Sequence, residues 1–228
     1  MNYFNSSKRL AARTLVLPAF FVLLFSAQNL FAQSSPSVRR EQLLNGLNVL
    51  LLPHSGEAKF LLKLQIKSGA AFDLAGKEGT MALLGDTLVP DQNAREDIAE
   101  SMDGSIDVST TYDAINLTIT GRETDFERYV ELLRNVLINT PLAVENVDKL
   151  RAARVNLLRQ TSVSPAVMAD RAVAARLYGT YPYGRPAAGT PEALARVTRS
   201  DLLLARDRFL TADNSTLLLA SNLDSRRV

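Results

Sequence analysis

Apolar residues recur along this chain with two different periods, and the switches between them outline its elements. Residues 40–44 and 47–52 flank Asn45-Gly46. This predicts a β-hairpin, because Asn-Gly supplies the two positive-φ positions of a type I′ turn. Residues 60–66 alternate through Leu62, Leu64 and Ile66 as a strand, which Ser68-Gly69-Ala70-Ala71 ends. The period then lengthens: residues 78–89 place Met81, Leu84 and Leu88 on one helical face. A second helix over 94–102 stops at Asp103-Gly104. Two alternating strands follow, 105–112 and 114–120, with Ile106, Val108, Ile115, Leu117 and Ile119 as apolar positions. Thr124-Asp125 opens an amphipathic helix through Tyr129, Leu132, Leu133, Val136 and Leu137, which Pro141 breaks. Helices are expected over 144–160 and 165–178, then a Pro/Gly/Tyr loop over 179–189 and a short helix from Pro191. Ser200 N-caps a helix running to Phe209, and 216–220 is a closing strand. This order predicts an α+β fold, a mostly antiparallel sheet with helices packed on one face.

The N-terminus follows neither period. Lys8, Arg9 and Arg13 precede an apolar run over 15–27, then Asn29-Leu30-Phe31-Ala32 and polar Gln33-Ser34-Ser35-Pro36. This is the layout of a secretory signal peptide over residues 1–32, followed by a disordered lead-in over 33–39 and a single domain over 40–228. The apolar run is short for a membrane span and is interrupted by Pro18. The expectation is therefore a protein secreted across the inner membrane into a bacterial periplasm, with no stable membrane span after cleavage. Removing the signal also changes the charge: 23 basic residues then face 24 acidic ones, a net charge near −1. The basic character of the precursor belongs to targeting, and no Lys/Arg cluster interleaved with aromatics points to nucleic acid. There is no cysteine, so the fold rests on an apolar core and not on disulfides.

Several local strings bear on function. Asn45-Gly46-Leu47-Asn48-Val49, Ser68-Gly69-Ala70-Ala71-Phe72-Asp73 and Tyr181-Pro182-Tyr183-Gly184-Arg185-Pro186-Ala187-Ala188-Gly189-Thr190 stand in order along the chain. Thr198-Arg199-Ser200-Asp201-Leu202, Phe209 and Asp213-Asn214-Ser215-Thr216-Leu217 follow them. Together they resemble the N-terminal type of domain in the M16 (insulinase, or mitochondrial processing peptidase-like) family of zinc metallopeptidases, over about residues 40–223. The resemblance implies the M16/LuxS-like metallohydrolase fold.

It also implies a zinc centre on a Gly-x-x-His-x-x-Glu-His helix, whose register here reads Gly79-Thr80-Met81-Ala82-Leu83-Leu84-Gly85-Asp86. Ala82 stands in the place of the first histidine ligand, Gly85 in that of the general base and Asp86 in that of the second histidine. Leu157 falls in the approximate register of the third ligand, a glutamate on a later helix. The whole chain has one histidine, His54, in a turn-like Pro53-His54-Ser55-Gly56. A zinc peptidase site needs three protein ligands and an open water position. The expectation is no catalytic residue, no metal ligand and no cofactor, zinc being the cofactor of the family. No Gly-x-Ser-x-Gly elbow or P-loop string offers another chemistry. The carboxylate pairs Glu96/Asp97 and Asp125/Glu127 read as solvated helix faces.

M16-like proteins enclose a chamber between two related halves and add extended peptide as a strand to a sheet edge. The corresponding strand begins at Ser105. Ser105, Asp107, Ser109 and Thr111 would share one face, opposite Ile106, Val108 and Thr110. The alternative is an ordinary strand with a polar side. Three functional readings stay open. The first is a non-catalytic subunit pairing with an active M16-like chain and binding peptide or unfolded protein. The second is a chamber-completing part of an endopeptidase whose centre lies on another chain. The third is a degenerate interaction module.

Overall fold

The computed structural model describes residues 37–53, 56, 58–88, 92–138, 142–161 and 164–223. The predicted signal peptide, His54 and Pro141 lie outside the described residues. Six strands, β1 (Arg39–Gln42), β2 (Asn48–Pro53), β3 (Lys59–Ile66), β4 (Ser105–Thr110), β5 (Ile115–Arg122) and β6 (Ser215–Ser221), form one sheet. Its order is β1-β2-β6-β3-β5-β4. All pairings are antiparallel except β2 with β6, so the last strand inserts between the second and the third. The helices are α1 (Thr80–Thr87), α2 (Gln92–Met102), α3 (Phe126–Ile138), α4 (Val144–Thr161), α5 (Pro165–Tyr178), α6 (Pro191–Leu194) and α7 (Arg199–Phe209).

The strand period decides which side of the sheet the helices cover. In β3, Phe60, Leu62, Leu64 and Ile66 are buried, while Lys59, Leu61 and Gln65 are exposed between them. The buried set joins Ile106, Leu117 and Ile119 with Leu84 of α1, Tyr129 and Leu133 of α3, Leu158 of α4 and Leu202 of α7 in one core. Phe60 meets Phe126 and Tyr129 edge-on, with centroids 5.3 and 5.2 Å apart, an arrangement that suits the ring quadrupoles. The fold is therefore α+β with helices on one face, as the pattern predicts.

Two local expectations need correction. The first hairpin closes with a five-residue loop, residues 43–47, between the Gln42–Asn48 pair. Gly46 N–H donates to the Leu43 carbonyl, and only Gly46 takes a positive φ (+90°) there. Asn45 instead uses its side chain, accepting the Leu47 N–H at 3.1 Å, so the I′ turn gives way to a local side-chain bond. The cap of α7 lies at Thr198, two residues before Ser200: Thr198 and Asp201 form a reciprocal capping box. That box satisfies two free N–H donors where a lone serine satisfies one.

Candidate functional site

The site is built around α1, which the sequence predicts as amphipathic and the structure buries almost all round. Thr80 to Gly85 and Thr87 are buried, and Asp86 alone is partly open. A helix apolar on every face belongs at the centre of a core. Its start is held by Asp73, whose carboxylate accepts the Gly79 N–H at 2.7 Å and the Met81 N–H at 2.8 Å. Burial pushes the Asp73 carboxyl up to about 6, against the pull of those two N–H groups and of nearby Arg185.

Close approach to the sheet explains Gly85. A Cβ there would stand 2.7 Å from Thr110 Oγ1 and 3.3 Å from Val108 Cγ1. The next residue turns away toward α4. Asp86 is held by Arg154 through two charge-assisted bonds, Nε to Oδ2 and Nη2 to Oδ1, both 2.5 Å. The same Nη2 reaches back one turn to the Ala82 carbonyl at 3.2 Å. One guanidinium thus bridges positions 82 and 86, where the resemblance places the two histidines.

Position 157 needs correction. The inward stripe of α4 runs Val147, Arg151, Arg154, Leu158, at helical spacing, and Leu157 lies 54% exposed on the other side. The residue that α4 presents to α1 at this level is Arg154, which the sequence reading did not single out. Its signal was a basic residue on the buried stripe of a helix, which calls for an acidic partner elsewhere. Among the described residues no group of three or more His, Cys, Asp or Glu is placed to hold a metal ion.

The second part of the site is β4, which ends the sheet order and, among the described residues, pairs only with β5. Ser105, Asp107, Ser109 and Thr111 are all exposed, while Ile106 is buried and Val108 and Thr110 are half-buried against α1. The expected strand over 105–112 ends at Thr110, so the structure puts Ser105, Asp107 and Ser109 on one face of an edge strand and Thr111 in the turn just past it, bonded to Ala114. The structure does not join that quartet to Asp86 and Arg154, which lie on the helix side of the same strand.

Beyond β4 the chain meets the loop over 179–189. Tyr112 donates its hydroxyl to the Arg185 carbonyl at 2.8 Å, and its ring packs 5.0 Å from Tyr183. Arg185 reaches Glu78, just ahead of α1, at 3.4 Å. The Tyr-Pro-Tyr-Gly-Arg-Pro string therefore fastens the end of the edge strand to the start of the central helix.

Residues 49–191 match the family model described as Insulinase (Peptidase family M16). The chain belongs to the M16 family. Over 102 residues it is 28% identical to an uncharacterized zinc protease of Mycobacterium leprae (strain TN), covering 45% of this chain and 23% of that protein. Solved M16 relatives share the fold. A putative M16-like peptidase from Alicyclobacillus acidocaldarius superposes with a TM-score of 0.74 at 22% identity, over 84% of this chain and 47% of that one. A peptidase M16 inactive domain from Pseudomonas fluorescens gives 0.76 at 18% identity, over 84% and 48%. The periplasmic protease PqqL from Escherichia coli gives 0.75 at 19% identity, over 83% of this chain and 22% of that one. This M16 chain thus spans about a quarter of the curated relative and about half or less of these structural neighbours.

Proposed function

We propose that the chain is a catalytically silent M16 domain that pairs with a zinc-bearing M16 chain and offers β4 to an extended peptide. The observation that carries this reading is the Arg154 guanidinium seated on Asp86. The donor set does not fit the zinc of the family. The Asp86 carboxylate spends both oxygens on Arg154, Ala82 contributes a buried methyl, and a cation already occupies the space between the helices. Nor is there room for a general base at position 85, where even a Cβ would press on Thr110.

Edge pairing needs none of these groups, because it uses backbone donors and acceptors that β4 leaves free of any further strand. Pairing with another chain is supported by α5, which has no buried residue and exposes Met168, Val173, Leu177 and Tyr178. Export to a bacterial periplasm completes the proposal, on the basic and apolar layout of residues 1–32 and the periplasmic setting of the PqqL protease.

The test has two arms. Metal analysis and peptide-cleavage assays on the purified chain are expected to find neither stoichiometric zinc nor turnover. Size-exclusion chromatography with an M16 chain of the same organism that carries His-x-x-Glu-His is expected to give co-elution. One tightly bound zinc per chain would overturn the silent reading. A monomer that binds neither peptide nor that chain would leave a structural module instead.

A further inference from the structure

Where β4 ends, a surface pocket of about 330 Å³ opens between the loop over 179–189 and α5. Tyr112, two residues past the strand, forms one wall; Ala174, Ala187 and Ala188 give much of the rest. Arg171, Arg185 and Asp170 also line it, leaving one net positive charge. Arg185 is engaged with Glu78. Arg171 is a half-buried residue, and its guanidinium has no hydrogen-bond or ion-pair partner among the described residues.

A guanidinium carries five N–H donors in a planar fork. Held partly away from water, an unmatched fork favours a carboxylate, which meets it with two parallel bonds. Small alanine side chains leave room for the incoming group. Position supplies the second constraint. A strand advances about 3.3 Å per residue, so a peptide paired along β4 carries a side chain to this pocket within one or two residues of the last pair.

We propose that the pocket is a subsite for an acidic side chain, glutamate or aspartate, of the extended peptide that pairs with β4, and that Arg171 receives its carboxylate. This inference rests on the edge-binding reading and adds a peptide preference to it.

The test uses the purified chain and fluorescein-labelled ten-residue peptides in which one glutamate is moved along a neutral β-prone sequence, each matched to its glutamine twin. Fluorescence anisotropy is expected to show one position at which glutamate binds about tenfold tighter than glutamine. In Arg171→Met, which keeps the apolar stem, that preference should fall below about twofold with glutamine-peptide affinity unchanged. Arg171→Lys should keep part of it. Val108→Pro, which removes an N–H on the free edge while the hydrogen-bonded pair Ser109–Asn116 stays intact, separates the two ideas. Loss of all binding in Val108→Pro supports the edge. A glutamate preference that survives there, and disappears in Arg171→Met, leaves the pocket standing and overturns the edge. Equal binding of glutamate and glutamine peptides at every position, or a preference retained by Arg171→Met, overturns the acidic subsite and leaves the edge intact. If no peptide binds the wild-type chain, both fall.

Discussion

The two sides of β4 have different characters. On its inner side, Val108 and Thr110 lie so close to α1 that position 85 has no room for a side chain, and Arg154 closes the gap between α1 and α4. On its outer side, four consecutive alternate residues are polar and exposed. The inner side is a packed junction in which a side chain provides the cation. The outer side is a polar face open to solvent, and the edge beside it, in the plane of the sheet, carries its recognition capacity in the backbone. A zinc centre depends on a few side chains, whereas a strand edge survives almost any substitution that preserves the pairing geometry.

The largest effect should come from opening the inner junction. Arg154→Ala leaves the Asp86 carboxylate partly buried without its partner. Uncompensated buried charges cost about 3–5 kcal/mol, and with side-chain exposures of 16% and 31% the lower end, about 3 kcal/mol, is expected in urea unfolding. Combining Arg154→Met with Asp86→Leu should restore most of that loss, since replacing both charges removes the penalty. A single mutant as stable as wild type would show that the bridge holds nothing together.

A comparable effect is tied to pH at the other end of α1. Burial pushes the Asp73 carboxyl up to about 6 in the fold, from an ordinary value of 3.8. The folded state therefore holds the proton more tightly than the unfolded chain, and ionisation disfavours the fold. Stability from this group is full below about pH 4, declines as pH rises toward 6 and is flat above, a change of about 3 kcal/mol. The wild-type minus Asp73→Asn stability difference, measured by urea melts from pH 3.5 to 7.5, should follow that decline. A difference that rises with pH would mean that the Gly79 and Met81 N–H groups outweigh burial.

How far these features could be read in advance depends on whether they repeat locally. The burial of β3 and α3 is legible because a period of two, or of three to four, reports one buried face. The β4 quartet was legible for the same reason. The central burial of α1 was not, since Met81, Leu84 and Leu88 look the same on a half-buried helix as on an enclosed one. Arg154 pairs with a residue 68 positions away, and no local spacing encodes that. A register carried by resemblance does not encode which side of a helix is buried, and Leu157 lies on the exposed side of α4. The insertion of β6 between β2 and β3 is likewise a long-range choice, as is its parallel pairing with β2.

A smaller effect sharpens the steric account of position 85. Helix propensity alone says Gly85→Ala should stabilise α1 by about 1 kcal/mol. The 2.7 Å approach to Thr110 Oγ1 says the added methyl overpacks the junction, at about 1–3 kcal/mol. The clash should win, giving a net loss of about 1 kcal/mol. In a Thr110→Ala background the same substitution should lose its penalty and turn neutral or stabilising. A double-mutant cycle with no coupling between 85 and 110 would sink the steric explanation.

The smallest expected effect lies on the outer side and separates backbone from side-chain recognition. Ser105→Ala, Asp107→Asn, Ser109→Ala and Thr111→Val, made together, remove most of the polar character of the exposed quartet. Ser105 shares an exposed hydroxyl bond with Thr120 at 2.8 Å, whereas the Thr111 hydroxyl donates to the Ala114 carbonyl at 3.2 Å and accepts the Ala114 N–H at 3.1 Å. The first three changes should therefore each stay within about 0.5 kcal/mol in thermal or urea melts, and Thr111→Val should cost about 1 kcal/mol. Peptide affinity should also hold within a few-fold, because a strand added at this edge is recognised through N–H and C=O groups that the substitutions leave in place. If the quadruple variant folds as before but loses peptide binding, the side chains carry the recognition. β4 would then be a specific polar surface, and the comparison between its two sides would have to be redrawn in terms of side-chain chemistry on both.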